Sequence, residues 1–151
     1  MRVSAKADYA VRAAVGLAGE GDEPVKGEKL AEAQGIPLQF LEHILLELKR
    51  ARLVRARRGA RGGYWLAKPP GEITLAEVFR AVEGPLAHIH DVAPEDTSYG
   101  GDAKELTEVW IAVRAALRRV LERVTIADLR EGRIPDEIRA LTRDEGAWDT
   151  R

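Results

Sequence analysis

The sequence predicts a mainly α-helical fold that carries one small β-hairpin and continues into a long helix. Three stretches support this prediction: an amphipathic segment over residues 37–52, two strand-like runs around a glycine-rich turn over residues 53–68, and an apolar repeat over residues 102–125. The first and third stretches have helical periodicity, whereas the middle one has the residue types of a hairpin. We therefore expect a helix-rich domain with a β wing, followed by further helices.

Composition indicates a globular protein and excludes several kinds of site. Of the 151 residues, 45% are hydrophobic and 32% are charged, which is enough apolar material for one domain with a sizeable core. No apolar run reaches the length of a membrane span, and the opening residues lack the apolar core of a signal peptide, so we expect a cytoplasmic protein. The chain has no cysteine, which excludes disulfides, thiolate metal sites and a cysteine nucleophile.

The N-terminal third predicts two helices ahead of the amphipathic one. Ser4 can cap a first helix that runs through Gly16 or Ala18, and an acidic turn follows it. A short second helix stops at Gly35, and Pro37 then lies at the first turn of the third helix, where its missing N–H costs no hydrogen bond. Two helices joined by a glycine-containing turn make a helix-turn-helix, in which the later helix enters the major groove of duplex DNA.

The third helix, predicted from Pro37 to Arg52, has two faces of different chemistry. The spacing of its leucine and isoleucine residues predicts that one face is buried. This face consists of Leu38, Leu41, Ile44, Leu45 and Leu48. The opposite face carries side chains suited to reading base edges, namely Gln39, Glu42, His43, Glu47 and Arg50.

The predicted hairpin belongs to the most basic stretch of the chain. Residues 49–68 contain eight lysines and arginines and no acid, although the whole chain has 24 basic and 25 acidic residues. A positive run without interspersed acid repels itself, and it indicates a polyanionic partner because each cation that neutralises a phosphate releases counterions. The alternative is an ordinary solvated charged loop.

Beyond the hairpin, the sequence predicts a capped helix followed by an irregular segment. Thr74 and Glu77 have the spacing of a capping box, so we expect a helix from Leu75 to Glu83 that Gly84 ends. Residues 86–101 have no periodicity and contain two of the three histidines of the chain.

The long helix predicted over residues 102–125 carries a narrow apolar seam. The members of the seam are spaced alternately four and three residues apart, which suits packing against a partner helix. We therefore predict a dimerisation helix; the alternative is that the seam packs on the chain's own winged domain. The seam consists of Leu106, Trp110, Val113, Leu117, Val120 and Val124.

Several motifs together resemble one family of bacterial regulators. The opening MRVSAKADYAVRAAVGLA is similar to the family's first helix, and LAEAQGIPLQFLEHILLELKRARLV is similar to its helix-turn-helix. The segment RRGARGGYWLAKPPGEITLAEVFRAVEGPL is similar to its wing and the helix that follows. The family is the IscR/NsrR/CymR type, or Rrf2 type, of winged helix-turn-helix regulator. The resemblance implies a homodimer that binds a palindromic operator in double-stranded DNA and represses or activates transcription, with repression as the expected mode.

The resemblance also implies roles for individual residues. Glu42 matches the family's recognition-helix glutamate, which can accept a hydrogen bond from cytosine, and Arg58 matches its wing arginine. Pro37 and Gln39 stand where members often carry small hydroxyl residues, so we expect a different operator sequence, and Arg61 should add a backbone contact. The candidate DNA-binding residues are Lys6, Gln39, Phe40, Glu42, His43, Arg50, Arg55, Arg57, Arg58 and Arg61.

These boundaries divide the chain into four regions. The predicted regions are a winged helix-turn-helix DNA-binding domain over residues 1–84, a linker or sensor loop over 85–101, a dimerisation region over 102–130, and a short helix with a polar tail over 131–151.

The interval before the long helix departs from the cluster-binding members of the family. Many members hold an iron–sulfur cluster with three cysteines there, and this chain has none, so we expect no cluster and an effector of unknown kind. In an extended segment His88 and His90 would point the same way and, with Asp91 or Asp8, could ligate a metal. Two nearby histidines are more often ordinary polar residues, because a stable site needs three or four ligands.

Two other functions compete with sequence-specific regulation. A winged domain can be a protein-interaction module whose basic face binds an acidic partner, because fold alone does not determine function. The same face can bind DNA without sequence preference through phosphate contacts. An enzyme is disfavoured, since the chain has no glycine-rich phosphate loop, no Gly-x-Ser-x-Gly elbow, no zinc-protease helix and no histidine with an obvious nucleophile partner.

Overall fold

A computed structural model describes residues 2–150, so Met1 and Arg151, at the ends of the predicted regions, lie outside it. The mainly helical fold with a small β wing is confirmed. No helix within these residues is long and apolar enough to cross a membrane. The elements are α1 (Ala5–Ala18), α2 (Gly27–Gln34), α3 (Leu38–Arg50), β1 (Val54–Arg57), β2 (Gly63–Leu66), α4 (Leu75–Glu83), α5 (Leu106–Leu121), α6 (Ile126–Glu131) and α7 (Asp136–Leu141).

Helix α1 lies at the centre of the domain and contacts α2, α3, α4 and α6. It begins after Ser4, whose hydroxyl accepts a hydrogen bond from the Ala7 backbone N–H at 3.0 Å, as the sequence predicts. The buried side of α1 is mainly alanine, so the neighbouring helices lie close to its backbone. Its fully buried members are Ala7, Ala10, Ala13, Ala14 and Leu17.

Helices α2 and α3 form the predicted helix-turn-helix. Helix α2 ends at Gly35, which has a φ of +61° that favours glycine, and Pro37 precedes the first residue of α3. Helix α3 ends at Arg50 instead of Arg52, because Arg52 adopts a φ of +61° that is incompatible with a helix. The predicted apolar face of α3 is confirmed, with Leu38 partly buried and with Leu41, Ile44, Leu45 and Leu48 fully buried.

The wing is a two-stranded antiparallel sheet that is attached to the chain ahead of α2. Strands β1 and β2 pair with Val54 opposite Leu66, and both of these side chains are buried in the core. On the other side of β2, Tyr64 and Val25 exchange backbone hydrogen bonds of 2.9 and 2.8 Å. Gly63 has a φ of +148°, and a Cβ there would lie 2.5 Å from the Val25 carbonyl oxygen, so this contact requires glycine.

Helix α4 begins at the predicted capping box. The Glu77 backbone N–H donates to the Thr74 hydroxyl at 3.2 Å, and the Thr74 backbone N–H donates to the Glu77 carboxylate at 2.9 Å. The same end of α4 is bonded to the chain beyond α5, because the Leu75 backbone N–H donates to the carbonyl oxygen of Val124 at 2.9 Å. The segment after α5 therefore returns to the core.

Helix α5 is shorter at both ends than the helix predicted over residues 102–125. At its N-terminal side, Gly101 has a φ of +60° and begins a separate 3-10 turn. At its C-terminal side, Val124 lies beyond the end of α5 and is only 3% exposed, and its carbonyl oxygen accepts the hydrogen bond from Leu75 at the start of α4. Val124 is thus buried within its own chain, in line with the alternative for this end of the apolar seam.

The segment over residues 86–101 contains no α-helix or strand, in agreement with its irregular sequence. His90 and Asp91 have φ values of +48° and +64°, and they form a tight turn closed by hydrogen bonds between Ile89 and Val92 of 2.9 and 3.0 Å. The extended geometry that would align His88 with His90 is therefore absent from this segment. Across residues 2–150, no group of three or more His, Cys, Asp or Glu side chains could hold a metal ion.

Candidate nucleic-acid interface

The exposed side of α3 presents three of the side chains predicted to read bases. Gln39, Glu42 and His43 are exposed and lie together with Leu46 around one shallow depression. Within the described part of the chain, none of the three polar side chains has a hydrogen bond or ion pair. The group combines an amide, a carboxylate and an imidazole, so it offers both donors and acceptors to a ligand.

A groove of about 380 Å³ separates this surface from the wing. Glu42 and Lys49 of α3 form one wall of the groove, and Arg57 and Arg58 of the wing form the other. The base-reading side chains and the wing arginines that the sequence predicted separately therefore border one continuous surface.

Two lysines of this groove were not among the predicted site residues. Lys26, just before α2, lines the groove and donates a hydrogen bond from Nζ to the Gly59 carbonyl oxygen at 2.6 Å, which holds the wing loop near α2. Lys49 belongs to the basic run, but the sequence gives no reason to single it out. The sequence position of Lys26, just ahead of the first helix of the helix-turn-helix, could have identified it as a candidate phosphate contact, because that end of the motif approaches the DNA backbone.

The positive charge of residues 49–68 remains largely uncompensated in the folded chain. Lys68 pairs with Glu77 at 2.6 Å, and the Arg57 guanidinium donates to the Arg61 carbonyl oxygen at 3.0 Å. The other five arginines of the run have no acidic side chain within ion-pair distance among residues 2–150. They are Arg50, Arg52, Arg55, Arg58 and Arg61.

The candidate arginines lie on two different faces of the wing. Arg58 borders the groove, whereas Arg55 stands opposite Trp65 in the sheet and lies beside Arg52 on the outer surface. Arg55 does not line the groove with Glu42 and Arg58, but it shares the second depression with Lys49 of α3 and contributes to the positive potential around α3.

Lys6 and Glu47 bind each other instead of presenting free charges. The Lys6 ammonium lies 2.9 Å from one Glu47 carboxylate oxygen, so the pair connects α1 to α3. The other oxygen, Oε2, is buried and has no hydrogen-bond partner among residues 2–150. Glu47, assigned from the sequence to the base-reading face, is thus directed toward α1. Sequence spacing could not predict this contact because it depends on how the two helices cross.

Phe40 is anchored at the start of α3. Its ring packs edge to face against Tyr9, with centroids 5.6 Å apart and planes at 88°, while 43% of the residue stays exposed. The Arg12 guanidinium lies 5.3 Å from the centre of the Tyr9 ring and also donates to the Gln34 carbonyl oxygen. The N-terminal end of the exposed α3 surface is therefore held against α1 and the end of α2.

Helix α5 buries only part of its apolar surface within the chain. It packs against the 3-10 turn at Pro94–Asp96 and touches α4, while Val109 and Ile111 remain 51% and 38% exposed. The members of the predicted seam that lie on α5 are half-buried, and they are Leu106, Trp110, Val113, Leu117 and Val120. One side of α5 therefore packs on the Pro94–Asp96 turn of its own chain, and another side remains exposed. These contacts are compatible both with a dimerisation helix and with packing on the chain's own domain.

Comparison with known proteins identifies similar sequences. The family model described as Rrf2, iron-dependent transcriptional regulator, matches residues 3–132. The chain is 48% identical to Rv1287 of Mycobacterium tuberculosis strain H37Rv, which carries the name of an HTH-type transcriptional regulator, over 99% of this chain and 94% of that protein. It is 32% identical to the HTH-type transcriptional regulator CymR of Bacillus subtilis, over 85% of this chain and 89% of that protein.

Solved structures of the same type have the same fold. CymR (YrzC), described as the global cysteine regulator of B. subtilis, superposes with a TM-score of 0.72 at 31% identity, over 87% of this chain and 98% of that one. IscR of T. potens superposes with a TM-score of 0.68 at 32% identity, over 87% of this chain and 88% of that one. These relatives are transcriptional regulators and not enzymes.

The residues of this chain do not fit an iron–sulfur cluster. Such clusters are held by cysteine thiolates, with histidine as an occasional substitute, and the chain has no cysteine. His88 and His90 are the only histidines between α4 and α5, and a tight turn begins between them. The family is described as iron-dependent, but this chain offers no thiolate ligand for iron.

Proposed function

The chain belongs to the Rrf2 family of helix-turn-helix transcriptional regulators, and we propose that it is a homodimeric, sequence-specific repressor of a palindromic operator. In this proposal α3 enters the major groove and the wing reaches the adjacent minor groove. One observation carries the proposal: wing and helix arginines without acidic partners flank a surface of unpaired Gln39, Glu42 and His43 side chains.

The contacts divide into those that select a sequence and those that supply affinity. Glu42 accepts hydrogen bonds only, so it favours the cytosine amino group, whereas the amide of Gln39 matches adenine. Arg58, Lys26 and Lys49 are placed to hold phosphates or to enter the narrow minor groove, which positions the protein on the duplex. Operator preference therefore resides mainly in α3, and salt-dependent affinity resides mainly in the cations around it.

The proposed dimer is formed by the open side of α5. Val109, Ala112 and Ala116 are exposed there, and they continue into the half-buried side chains of Val113 and Val120. An exposed apolar strip of this kind is typical of a protein interface. Two copies related by a twofold axis would bury the same strip on each subunit, which matches a palindromic operator.

The proposed regulator acts in the bacterial cytoplasm and responds to a signal other than iron–sulfur chemistry. A cluster requires thiolates that the chain does not contain, and a thiol–disulfide switch is excluded for the same reason. We expect DNA binding that needs no added iron.

The test is selection of duplexes from a random DNA pool by the purified full chain without added metal, followed by a salt titration on the winning sequence. We expect a two-fold symmetric motif whose affinity falls steeply with salt. Binding with a steep salt dependence but no preferred motif would instead identify a nonspecific DNA binder. Absence of DNA binding at low salt would favour the remaining alternative, an interaction module whose basic wing meets an acidic protein.

A further inference from the structure

A small cavity lies between α4, α5 and the segment that connects them, away from the α3 surface and the wing. It has a volume of about 300 Å³. Three arginines from two helices converge on it, together with a single carboxylate. The side chains that matter for its chemistry are Arg80, Leu86, His88, Glu95, Arg114 and Arg118.

Arg114 is enclosed and held in place at this cavity. Its side chain is 15% exposed, and its Nη1 lies 2.6 Å from the Glu95 carboxylate oxygen Oε2. A guanidinium has five N–H donors in a fixed fork, and no other partner of the Arg114 side chain exists among residues 2–150. Most of its hydrogen-bonding capacity is therefore unused, although the side chain itself is largely buried.

Arg118 adds a second guanidinium one helical turn later. Like charges four residues apart on a helix repel each other, and the Glu95 carboxylate is the anion whose charge acts on both arginines. No acidic side chain lies within ion-pair distance of Arg118 in the described part of the chain. Arg80, from α4, pairs with Glu122 at the end of α5. Three guanidinium groups are thus matched by two carboxylates.

The Glu95 carboxylate binds Arg114 where an anionic ligand would bind. Its own backbone N–H and the Arg114 guanidinium hold the pKa of the Glu95 carboxyl below its ordinary value, so it is ionised at neutral pH. About half of the Glu95 side chain is exposed, with 53% of its surface open. A carboxylate with this exposure can leave the arginine when a better anion arrives.

We propose that this cavity binds a small oxyanion, a carboxylate or phosphate group of a metabolite, through Arg114 and Arg118 of α5 and Arg80 of α4. Guanidinium forks match the paired oxygens of both groups. Pro85, Leu86 and Ala93 supply the apolar part of the wall, and the volume suits a metabolite of few atoms rather than a macromolecule.

The position of the cavity gives the ligand a way to act on the regulator. Helix α4 packs on α1 and α3, whereas α5 carries the proposed dimer strip. A ligand that bridges Arg80 to Arg118 therefore connects the DNA reader to the dimer helix, and a change in their relative position alters the spacing of two readers. This regulatory role rests on the proposed function, whereas binding of the oxyanion at the cavity is independent of it.

The binding test uses the full chain labelled with 15N, titrated separately with sodium phosphate and sodium succinate. Sodium chloride at matched ionic strength is the control, because the wing arginines also attract anions. The signal is the side-chain Nε–H resonance of Arg114, compared with that of Arg58. We expect a saturable shift of Arg114 with at least one probe, and the effective probe identifies phosphate or carboxylate as the recognised group. A shift no larger than that in chloride with both probes would overturn the proposal.

Two substitutions separate ligand binding from a merely structural role. Arg118→Gln should weaken binding of the effective probe by about tenfold through loss of a charge-assisted contact, whereas Arg119→Gln, at the next arginine, which does not line the cavity, should leave it unchanged. Glu95→Gln removes the competing carboxylate and should tighten binding several-fold. If both cavity variants weaken binding, or neither changes it, the assigned contacts are wrong.

The regulatory part is tested on the selected operator with and without the effective probe, again against matched chloride. We expect operator affinity to change by at least about threefold in the wild type and not in Arg118→Gln. An operator that binds equally well in both conditions would remove the effector role while leaving the DNA-binding function intact. Loss of DNA binding in every condition would instead contradict the proposed function.

Discussion

Glu42 is the residue on which operator preference should depend most. It is exposed at the centre of the α3 surface, and it also borders the groove beside the wing. Its carboxylate has no partner within residues 2–150, so it can accept a hydrogen bond from a base. Glu42→Ala should relax preference at one base pair of each half-site by about 1–3 kcal/mol of discrimination.

This prediction is checked by comparing affinities for the selected operator and its single-base variants. Glu145→Ala, which removes an exposed carboxylate far along the chain, is the matched control and should leave the preference unchanged. An unaltered preference in Glu42→Ala would eliminate direct base readout by this residue.

Arg58 should contribute affinity rather than specificity if it holds a phosphate. It lies at the wing, lines the groove and has no acidic partner among residues 2–150. Arg58→Ala should weaken binding to all duplexes and lower the slope of log affinity against log salt by about 1. Salt titrations of the wild type, Arg58→Ala and the exposed control Arg143→Ala measure this effect. Equal slopes for all three proteins would exclude a phosphate contact at Arg58.

The stability of the start of α4 should be sensitive to acid. Burial disfavours the charged form of Glu77, but hydrogen bonds from Lys68 and the Thr74 backbone and the charge of Lys68 outweigh it and lower the Glu77 pKa. A folded-state pKa below the unfolded value stabilises the fold above the unfolded pKa, and this stabilisation is lost as pH falls through the folded pKa.

Glu77→Gln should therefore be less stable than the wild type at neutral pH, and the difference should shrink as pH falls to about 4 and below. Urea unfolding across this range measures the free energy of unfolding of both proteins. Glu145→Gln serves as the control for loss of an exposed carboxylate. A difference that stays constant with pH would mean that the charge of Glu77 does not contribute.

Helix α5 offers a matched pair of substitutions for the proposed dimer. Val109 and Ile111 are both exposed, but two residues on a helix point about 160° apart. Val109→Glu places a charge in the proposed strip and should yield monomers, whereas Ile111→Glu should remain dimeric. Molar mass by light scattering distinguishes the two states. Dissociation by Ile111→Glu alone would move the interface to the opposite face of α5.

Local signals in the sequence account for most of the architecture of the molecule. Apolar spacing in α3, glycine at the end of α2, the capping box at Thr74 and the turn residues of the wing each act over a few neighbouring residues. Such short-range effects can be recognised from the sequence alone. They were enough to predict the winged helix-turn-helix and the order of its elements.

The features that could not be predicted depend on contacts between distant segments or on unusual backbone conformations. Lys6 meets Glu47 only because α1 crosses α3, and Val124 is buried only because the chain after α5 returns to α4. His90 adopts a positive φ that residue type alone does not predict. The same reasons explain why the arginine cavity between α4 and α5 has no signature in the sequence.

The proposed dimer holds two identical readers at a fixed distance through α5, so that both bind one symmetric operator. Its most direct test is the affinity of the full chain for the selected operator before and after insertion of about five base pairs between the half-sites. Half a helical turn places the second half-site on the opposite face of the duplex, so we predict a fall of about a thousandfold, toward nonspecific binding. Unchanged affinity for the lengthened operator would contradict the claim, since it would mean that each reader binds DNA independently.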